Sequence, residues 1–507
     1  MTLQSDLTEL IDTITKFYTG GTDEKDHSRL HNTLMTYMNS PDALQFGQAL
    51  IQHEAHNVVF WGGTAISQYT QKYPQNISSE NSVALQNQVT TIMLSKKLPE
   101  YVVTKLCTVL VRLCLINFQQ QPNPIQDFYS RLSTSPVLFL QLLTIFIEEF
   151  DHFLTLELLP ASARPIATSA LDHVISFIIS FLKTSSHVAP SLICLEAWIN
   201  SIHITLSALP NDLLPSLSLH VSSSHFVIVL GVVSALLQHP LNLAQAKNSL
   251  VEFLAALAEY IGKVGGEYGD DYRFANFLVN SLEFLIDESK DVSIILKYLQ
   301  FLIHPLSSYE YNCFEAACHS LENLTNIQKF DKNSLQPIVG CLKTIVNFLI
   351  FRVSEVARLE DSSFLAFCLS RSKDAVESLF YLIGEDVFSV LFEILSTELA
   401  KQNLKNEELF IIGTCLTFLS KLSDQLGKNE QKCLFIFNLF KVAMHYLDPE
   451  VACPLFFKSS CLSFFLNYRH FMGEFNEQSP AEFFKIYQSY YRLRFQPKRR
   501  RISTFHF

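Results

Sequence analysis

The sequence predicts an all-α chain built as a helical-repeat solenoid, an α–α superhelix, and three observations carry that expectation. Apolar residues recur at helical spacing in one segment after another, with short polar or proline-containing breaks between them. No segment sustains the apolar–polar alternation of a half-buried strand. The third observation is scale: 507 residues exceed what one compact core serves, yet composition shifts nowhere sharply enough to mark unrelated domains. With 48% apolar and only 17% charged residues the chain can bury several cores and is not a disordered one.

Taken in order, the periodicity predicts helices over 3–18, 25–38, 42–52, 56–72, 80–94, 97–118, 134–155, 164–182, 188–206, 223–237 and 242–264. It continues over 270–286, 290–305, 309–325, 331–351, 355–370, 373–401, 405–425, 429–446, 455–469 and 480–493. Short connections make neighbours antiparallel, and pairing them yields about ten units of roughly 40–50 residues, the period of HEAT-type repeats. Such pairs bury their apolar stripes only by stacking on one another. A crisp repeat consensus is lacking, so a large irregular helical domain stays open as the alternative.

The most informative stretch is 41–74, where one short helix feeds a second. In the second, Val58, Val59, Trp61, Gly62, Ala65 and Ile66 make an apolar stripe, Gly62-Gly63 permits close helix contact, and Gln68, Gln71 and Lys72 leave a polar edge. Three apolar segments, 101–118, 169–183 and 222–237, are broken by Lys105, Arg112, His173 and Ser234. They fall short of the about 20 uninterrupted apolar residues of a membrane span and read as buried helices. Leu192, Leu195, Trp198, Ile199 and Ile202 share one helical face, and the 207–222 break after them reads as an inter-repeat loop or a hinge. Gly262, Gly265, Gly266 and Gly269 with Glu267, Asp270 and Asp271 form an acidic interruption, either a solvated connection or a partner-facing loop.

Charge and motifs narrow the function. A formal charge of −11 opposes nucleic acid as main partner, because backbone binding needs a basic field. The opening MTLQSDLTEL has no basic n-region followed by an apolar h-region, which predicts an intracellular chain whose Asn76 and Asn323 glycan-type sequences go unused. Eleven cysteines stand singly without CxxC pairs and read as reduced core residues. Neither a phosphate-binding loop nor HExxH, GxSxG or kinase signatures occur. His53, Glu54 and His56 lack further ligands for a metal, and the adjacent pairs Glu148-Glu149 and Asp270-Asp271 need not converge. The expectation is a protein that is not an enzyme, with no catalytic residue, cofactor or metal.

Residues 7–20 (LTELIDTITKFYTG), 31–52 (HNTLMTYMNSPDALQFGQALIQ) and 57–74 (NVVFWGGTAISQYTQKYP) then align with a known pattern. They resemble the opening of the importin-beta (karyopherin) superfamily of nuclear transport receptors, closest in flavour to the importin-13 and transportin-3 branch. Phe60-Trp61-Gly62-Gly63 stands where that branch has an aromatic pair and Gly-Ala, with Ile66 in the leucine place. Residues 94–115 resemble the family's third repeat, Cys194-Leu-Glu-Ala-Trp198-Ile its later Cys-x-x-Ser-Trp helix, and 243–259 the segment that follows.

The resemblance covers about 1–330 and implies four regions: 1–118 as importin N-terminal-like, Ran-binding repeats, 119–330 as central HEAT-like repeats, 331–493 as further repeats and 494–507 as a basic tail. The chain is much shorter than the family's full receptors. The resemblance further implies binding of Ran-GTP by the first repeats, protein cargo along the concave surface and FG-repeat nucleoporins on the outer one. Shuttling between nucleus and cytoplasm follows, without direct nucleic-acid contact or membrane insertion. By register the partner-binding candidates are Gln68, Gln71, Lys72, Lys105 and Arg112. A Ran-independent helical-repeat scaffold or adaptor is the alternative. In the tail, Pro497 to Ser503 carries four consecutive basic residues, readable as a nuclear-import signal tunable by phosphorylation of Ser503 or as a solvated end.

Overall fold

The computed structural model describes residues 3–19, 24–118, 124–201, 209–238, 246–289, 291–324, 330, 332–359, 361–425, 430–448 and 450–468. The helix predicted over 480–493 and the basic tail lie outside them. Among the described residues every regular element is helical and none is a strand, as the periodicity predicts. The chain divides into two compact units, Met1–Ala246 and Lys247–Phe507.

In the first unit the helices are α1 Leu3–Thr19, α2 Glu24–Met38, α3 Ala43–Leu50, α4 His56–Lys72, α5 Ser79–Ser95, α6 Glu100–Ile116, α7 Pro124–Leu132, α8 Pro136–Thr155, α9 Arg164–Lys183, α10 Val188–Ile199, α11 Leu213–Ser218 and α12 Phe226–Gln238. Local chemistry sets several starts. The Ser78 hydroxyl accepts from the Asn81 N–H at 3.2 Å and caps α5, while Pro136 and Pro165 occupy the first turns of α8 and α9, where no N–H is required.

Helices α4, α6, α8, α10 and α12 pack in sequence as one layer, and α3, α5, α7 and α9 each back one of them. Within a pair the helices are antiparallel: Gly47 of α3 lies against Ile66 of α4, and Gly62 of α4 against Ile51. Between pairs they are parallel: the Tyr101 hydroxyl donates to Asn57 Oδ1 at 2.8 Å near the helix starts, and Arg112 Nη1 donates to the Ser67 carbonyl at 2.9 Å near the ends. That alternation is the HEAT-type stack. The expected close contact is real, since a Cβ on Gly62 would stand 2.7 Å from the Ile51 backbone nitrogen. Helices α1 and α2 close this end of the unit, and Leu10, Ile14, Leu34, Met38, Phe46, Leu50, Val58, Trp61 and Ala65 form one core cluster.

Helix α9 is long and apolar enough to cross a membrane by length and composition. Its apolar residues nevertheless follow one stripe: Leu171, Val174, Ile175, Ile178, Ile179 and Leu182 are buried, while Asp172, His173, Ser176 and Ser180 face outward.

The second unit contains α13 Lys247–Val264, α14 Tyr272–Glu288, α15 Val292–Phe301, α16 Ile303–Leu306, α17 Tyr311–Glu322, α18 Lys332–Arg358, α19 Ser362–Ile383, α20 Glu385–Leu399, α21 Asn406–Lys421, α22 Glu430–Leu447 and α23 Leu455–Asn467. One layer runs α14, α17, α19, α21, α23, and behind it run α13, α15, α18 and α20. Buried hydroxyls line the junctions that α21 makes with α18 behind it and with α23 beside it. Ser354 Oγ lies 2.9 Å from Thr414 Oγ1 and 2.6 Å from its own helix's Ile350 carbonyl; Thr417 Oγ1 lies 3.0 Å from Ser460 Oγ and 2.9 Å from the Gly413 carbonyl.

Several boundaries depart from the periodicity. Breaks expected near 352–354 and 371–372 are absent, because Arg352, Ser354 and Ser372 are carried buried inside helices, Ser354 by bonding back to Ile350. The real breaks come where Asp361 caps the N–H groups of Ser363 and Phe364 at 3.1 Å and where Gly384 turns with φ +58°. The short helices α7 and α11 were not expected, being too brief to show a period, and α11 sits inside the predicted 207–222 break. The acidic glycine interruption is a tight 3₁₀ turn, Gly265–Tyr268, packed on α16: a Cβ at Gly269 would stand 2.9 Å from the His304 carbonyl oxygen.

Candidate functional site

The five candidate residues come from two adjacent parallel helices, so the fold places them on neighbouring ridges of one layer. Gln68, Gln71 and Lys72 stand on the last turns of α4, and Lys105 and Arg112 on α6. Arg112 is the centre of this group. Its Nε and Nη2 donate to the two carboxylate oxygens of Glu149 at 2.8 and 3.0 Å, while Nη1 donates to the Ser67 carbonyl at 2.9 Å and Gln71 Oε1 at 3.1 Å. The Arg112 and Glu149 side chains keep only 12% and 15% exposure, so the fork is close to dry. Gln71 Nε2 also lies 3.3 Å from His152 Nε2. One guanidinium thus ties α4, α6 and α8 together.

Lys105 differs. Its ammonium lies 5.8 Å from the Phe60 ring centroid, and no carboxylate pairs with it among the described residues. Burial pushes its pKa down, the charge of Arg112 pushes it further, and Glu149 partly opposes both. Beside it the rings of Phe60 and Tyr101 pack with centroids 5.6 Å apart. Lys72 is exposed, with its ammonium 5.3 Å from the Tyr73 ring centroid. The Gln68 side-chain carbonyl oxygen is buried and accepts no hydrogen bond among the described residues. Gln68, Lys72 and Lys105 therefore retain unused hydrogen-bonding or ionic capacity, whereas Arg112 and Gln71 are committed to neighbouring helices.

A lowered lysine pKa has a definite consequence for stability. Between the lowered folded value and the ordinary 10.5 the unfolded chain binds the proton more tightly, so stability rises with pH across that window and the charged lysine is a burden below it. We expect Lys105→Met to raise the melting temperature near neutral pH, with the gain shrinking as pH climbs toward 10.5. Melting curves at the two pH values check this, and a lower melting temperature at neutral pH would contradict it.

Glu149, Ser67 and His152 were missed in the sequence. Glu149 was visible only as half of an adjacent acidic pair, yet a signal was there: Arg112 stands among the apolar residues in the last turns of α6, and Glu149 lies in the second half of the next long apolar helix. The His53 ring, considered with His56 as a metal pair, accepts through Nδ1 from the Ala55 N–H at 3.0 Å within its own turn. All ten described cysteines are free, and burial pushes the Cys194 thiol up to about 12.

Comparison with curated proteins yields no match. Residues 99–229 match the sequence model of a family described as Exportin 1-like protein. Among solved structures, yeast importin-beta (Kap95p) is similar at 11% identity and a TM-score of 0.46, over 96% of this chain and 65% of that one. An importin beta crystallised in an ammonium sulfate condition is similar at 13% and 0.45, over 96% and 63%. Kap121p bound to RanGTP is similar at 13% and 0.42, over 94% and 46%. The chain spans less than two thirds of the length of each of these proteins. The Exportin 1-like segment runs from the residue before α6 into α12 and includes Lys105, Arg112, Glu149 and Trp198.

Proposed function

We propose that the chain is a nuclear transport receptor that binds Ran-GTP and protein cargo and carries the cargo through the nuclear pore by binding, without catalysis. The observation that carries this reading is the Exportin 1-like segment at 99–229. The resemblance of residues 1–118 to the opening repeats of the superfamily supports the choice of Ran-GTP as partner. Passage through the pore enlists FG-repeat nucleoporins, and the receptor shuttles between nucleus and cytoplasm. On the α4–α6 face, Gln68, Lys72 and Lys105 make the contact with Ran, while Gln71 and Arg112 hold the spacing of the helices that present them.

Capture of the chain on immobilised Ran tests the reading. We expect retention with GTP-loaded Ran and loss with GDP-loaded Ran, and about tenfold weaker retention when Lys72→Ala and Lys105→Met are combined, through loss of two charge contacts. Indifference to the nucleotide would overturn it in favour of a Ran-independent helical-repeat scaffold.

A further inference from the structure

Lys105 is seated in the first unit by its stem. The side chain crosses α4 at Gly63, where an added Cβ would stand 2.8 Å from Lys105 Cγ and 3.8 Å from Lys105 Cβ, so only glycine leaves the slot open. The buried part is therefore the stem, and the amine lies past it, 5.8 Å from the Phe60 ring centroid and one helical turn from Tyr101, which is 46% exposed. What the amine lacks is an acceptor. Lys183, Lys247, Lys297, Lys343, Lys401 and Lys421 each pair with a carboxylate, and Lys96 donates to the His53 and Gln52 carbonyls at 2.9 and 3.1 Å. Lys105 has neither kind of partner among the described residues, because the Glu149 carboxylate that acts on it is taken by the Arg112 fork. A half-buried ammonium with no acceptor is the disfavoured form of this side chain, and a neutral nitrogen suits the slot better. Burial and then the Arg112 charge lower its pKa, which enlarges the share of neutral, nucleophilic amine at mildly alkaline pH.

We propose that Lys105 is a site of N-acylation by acyl thioesters, and that acylation converts the α4–α6 face from a charged to a neutral form. The neutral Lys105 nitrogen attacks the thioester carbonyl carbon. A C–N bond forms as the C–S bond breaks, and the proton lost from nitrogen ends on the departing thiolate, leaving an amide and a free thiol. The amide removes the half-buried charge while keeping one N–H to donate, and the acyl group lies against the Phe60 and Tyr101 rings, whose centroids are 5.6 Å apart. A partner carboxylate that would meet Lys105 then finds no cation. That consequence rests on the α4–α6 face being the partner face proposed above, whereas the modification itself does not.

The test incubates the full-length protein with acetyl-coenzyme A at mildly alkaline pH and follows the occupancy of each lysine by mass spectrometry. We expect Lys105 to be acetylated about threefold or more faster than the exposed Lys72 and Lys97, and the preference to vanish in urea, where the slot no longer exists. A protein carrying acetyl-lysine at position 105 alone, made by encoded incorporation, should be captured by GTP-loaded Ran about threefold less than the unmodified protein, while Lys105→Arg, which keeps the charge, should be captured nearly as well. Acetylation of Lys105 no faster than that of Lys97, or a preference that survives urea, would overturn the site. Equal capture of the acetylated and unmodified proteins would overturn the conversion of the face. Capture of neither would overturn the function proposed above and leave the acylation site supported by the mass spectra.

Discussion

Trp198→Ala should be the most damaging single substitution in the first unit, lowering its stability by about 4–5 kcal/mol, the upper part of the range for deleting a buried aromatic. The indole is fully buried, stacks on Phe146 with centroids 6.0 Å apart and planes at 11°, and donates its N–H to the Leu143 carbonyl at 3.0 Å. Removing it opens a cavity between α8 and α10 and deletes a buried hydrogen bond. Trp61 makes the comparison informative. It is 5% exposed, and its N–H has no well-formed acceptor although the Tyr18 hydroxyl faces it. Trp61→Phe should therefore be mild, while Trp198→Phe loses a made hydrogen bond and costs about 1 kcal/mol more. The chain has only these two tryptophans, so indole fluorescence during urea unfolding reports the first unit alone. A loss below about 1 kcal/mol for Trp198→Ala would contradict the packing described.

Arg112→Ala should rank next, at about 3–5 kcal/mol, because it strands Glu149 in a nearly dry site. Ser67 and Gln71 lose their donor at the same time. Replacing both charges, Arg112→Met with Glu149→Leu, should recover most of that loss, since what destabilises is the unpaired carboxylate rather than the missing attraction. A double-mutant cycle on urea midpoints measures the coupling, and additive single effects would show that the two side chains do not share the fork.

Much of this was legible in the sequence. Helix positions in the first unit follow the apolar period closely, as with 56–72, predicted and observed over the same residues. The Gly62-Gly63 contact was readable because two glycines within an apolar stripe have few other uses in a helix. Cap chemistry was harder to weigh. Ser354 and Ser372 suggested breaks, yet a serine bonded to the preceding turn stays in a helix, whereas Asp361 starts one helix and Gly384 ends it without interrupting the apolar pattern. The candidate residues were chosen by register, and register placed them on one face. It did not show that Arg112 is engaged by Glu149 while Lys105 pairs with no carboxylate among the described residues, because which charges meet depends on the stagger between repeats.

The two kinds of junction described above imply different mechanics. Where Arg112 bolts three helices through a fork with one good geometry, sliding any helix along another breaks several bonds at once, so that junction resists shear. The hydroxyl contacts of Ser354, Thr414, Thr417 and Ser460 are otherwise, for each oxygen already lies within reach of a carbonyl of its own helix. These helices can slip past one another by small steps without stranding a buried polar group. Elastic compliance is thus written into side-chain choice: stiff where a nearly dry ion pair joins neighbouring helices, softer where the buried polar contacts are hydroxyls.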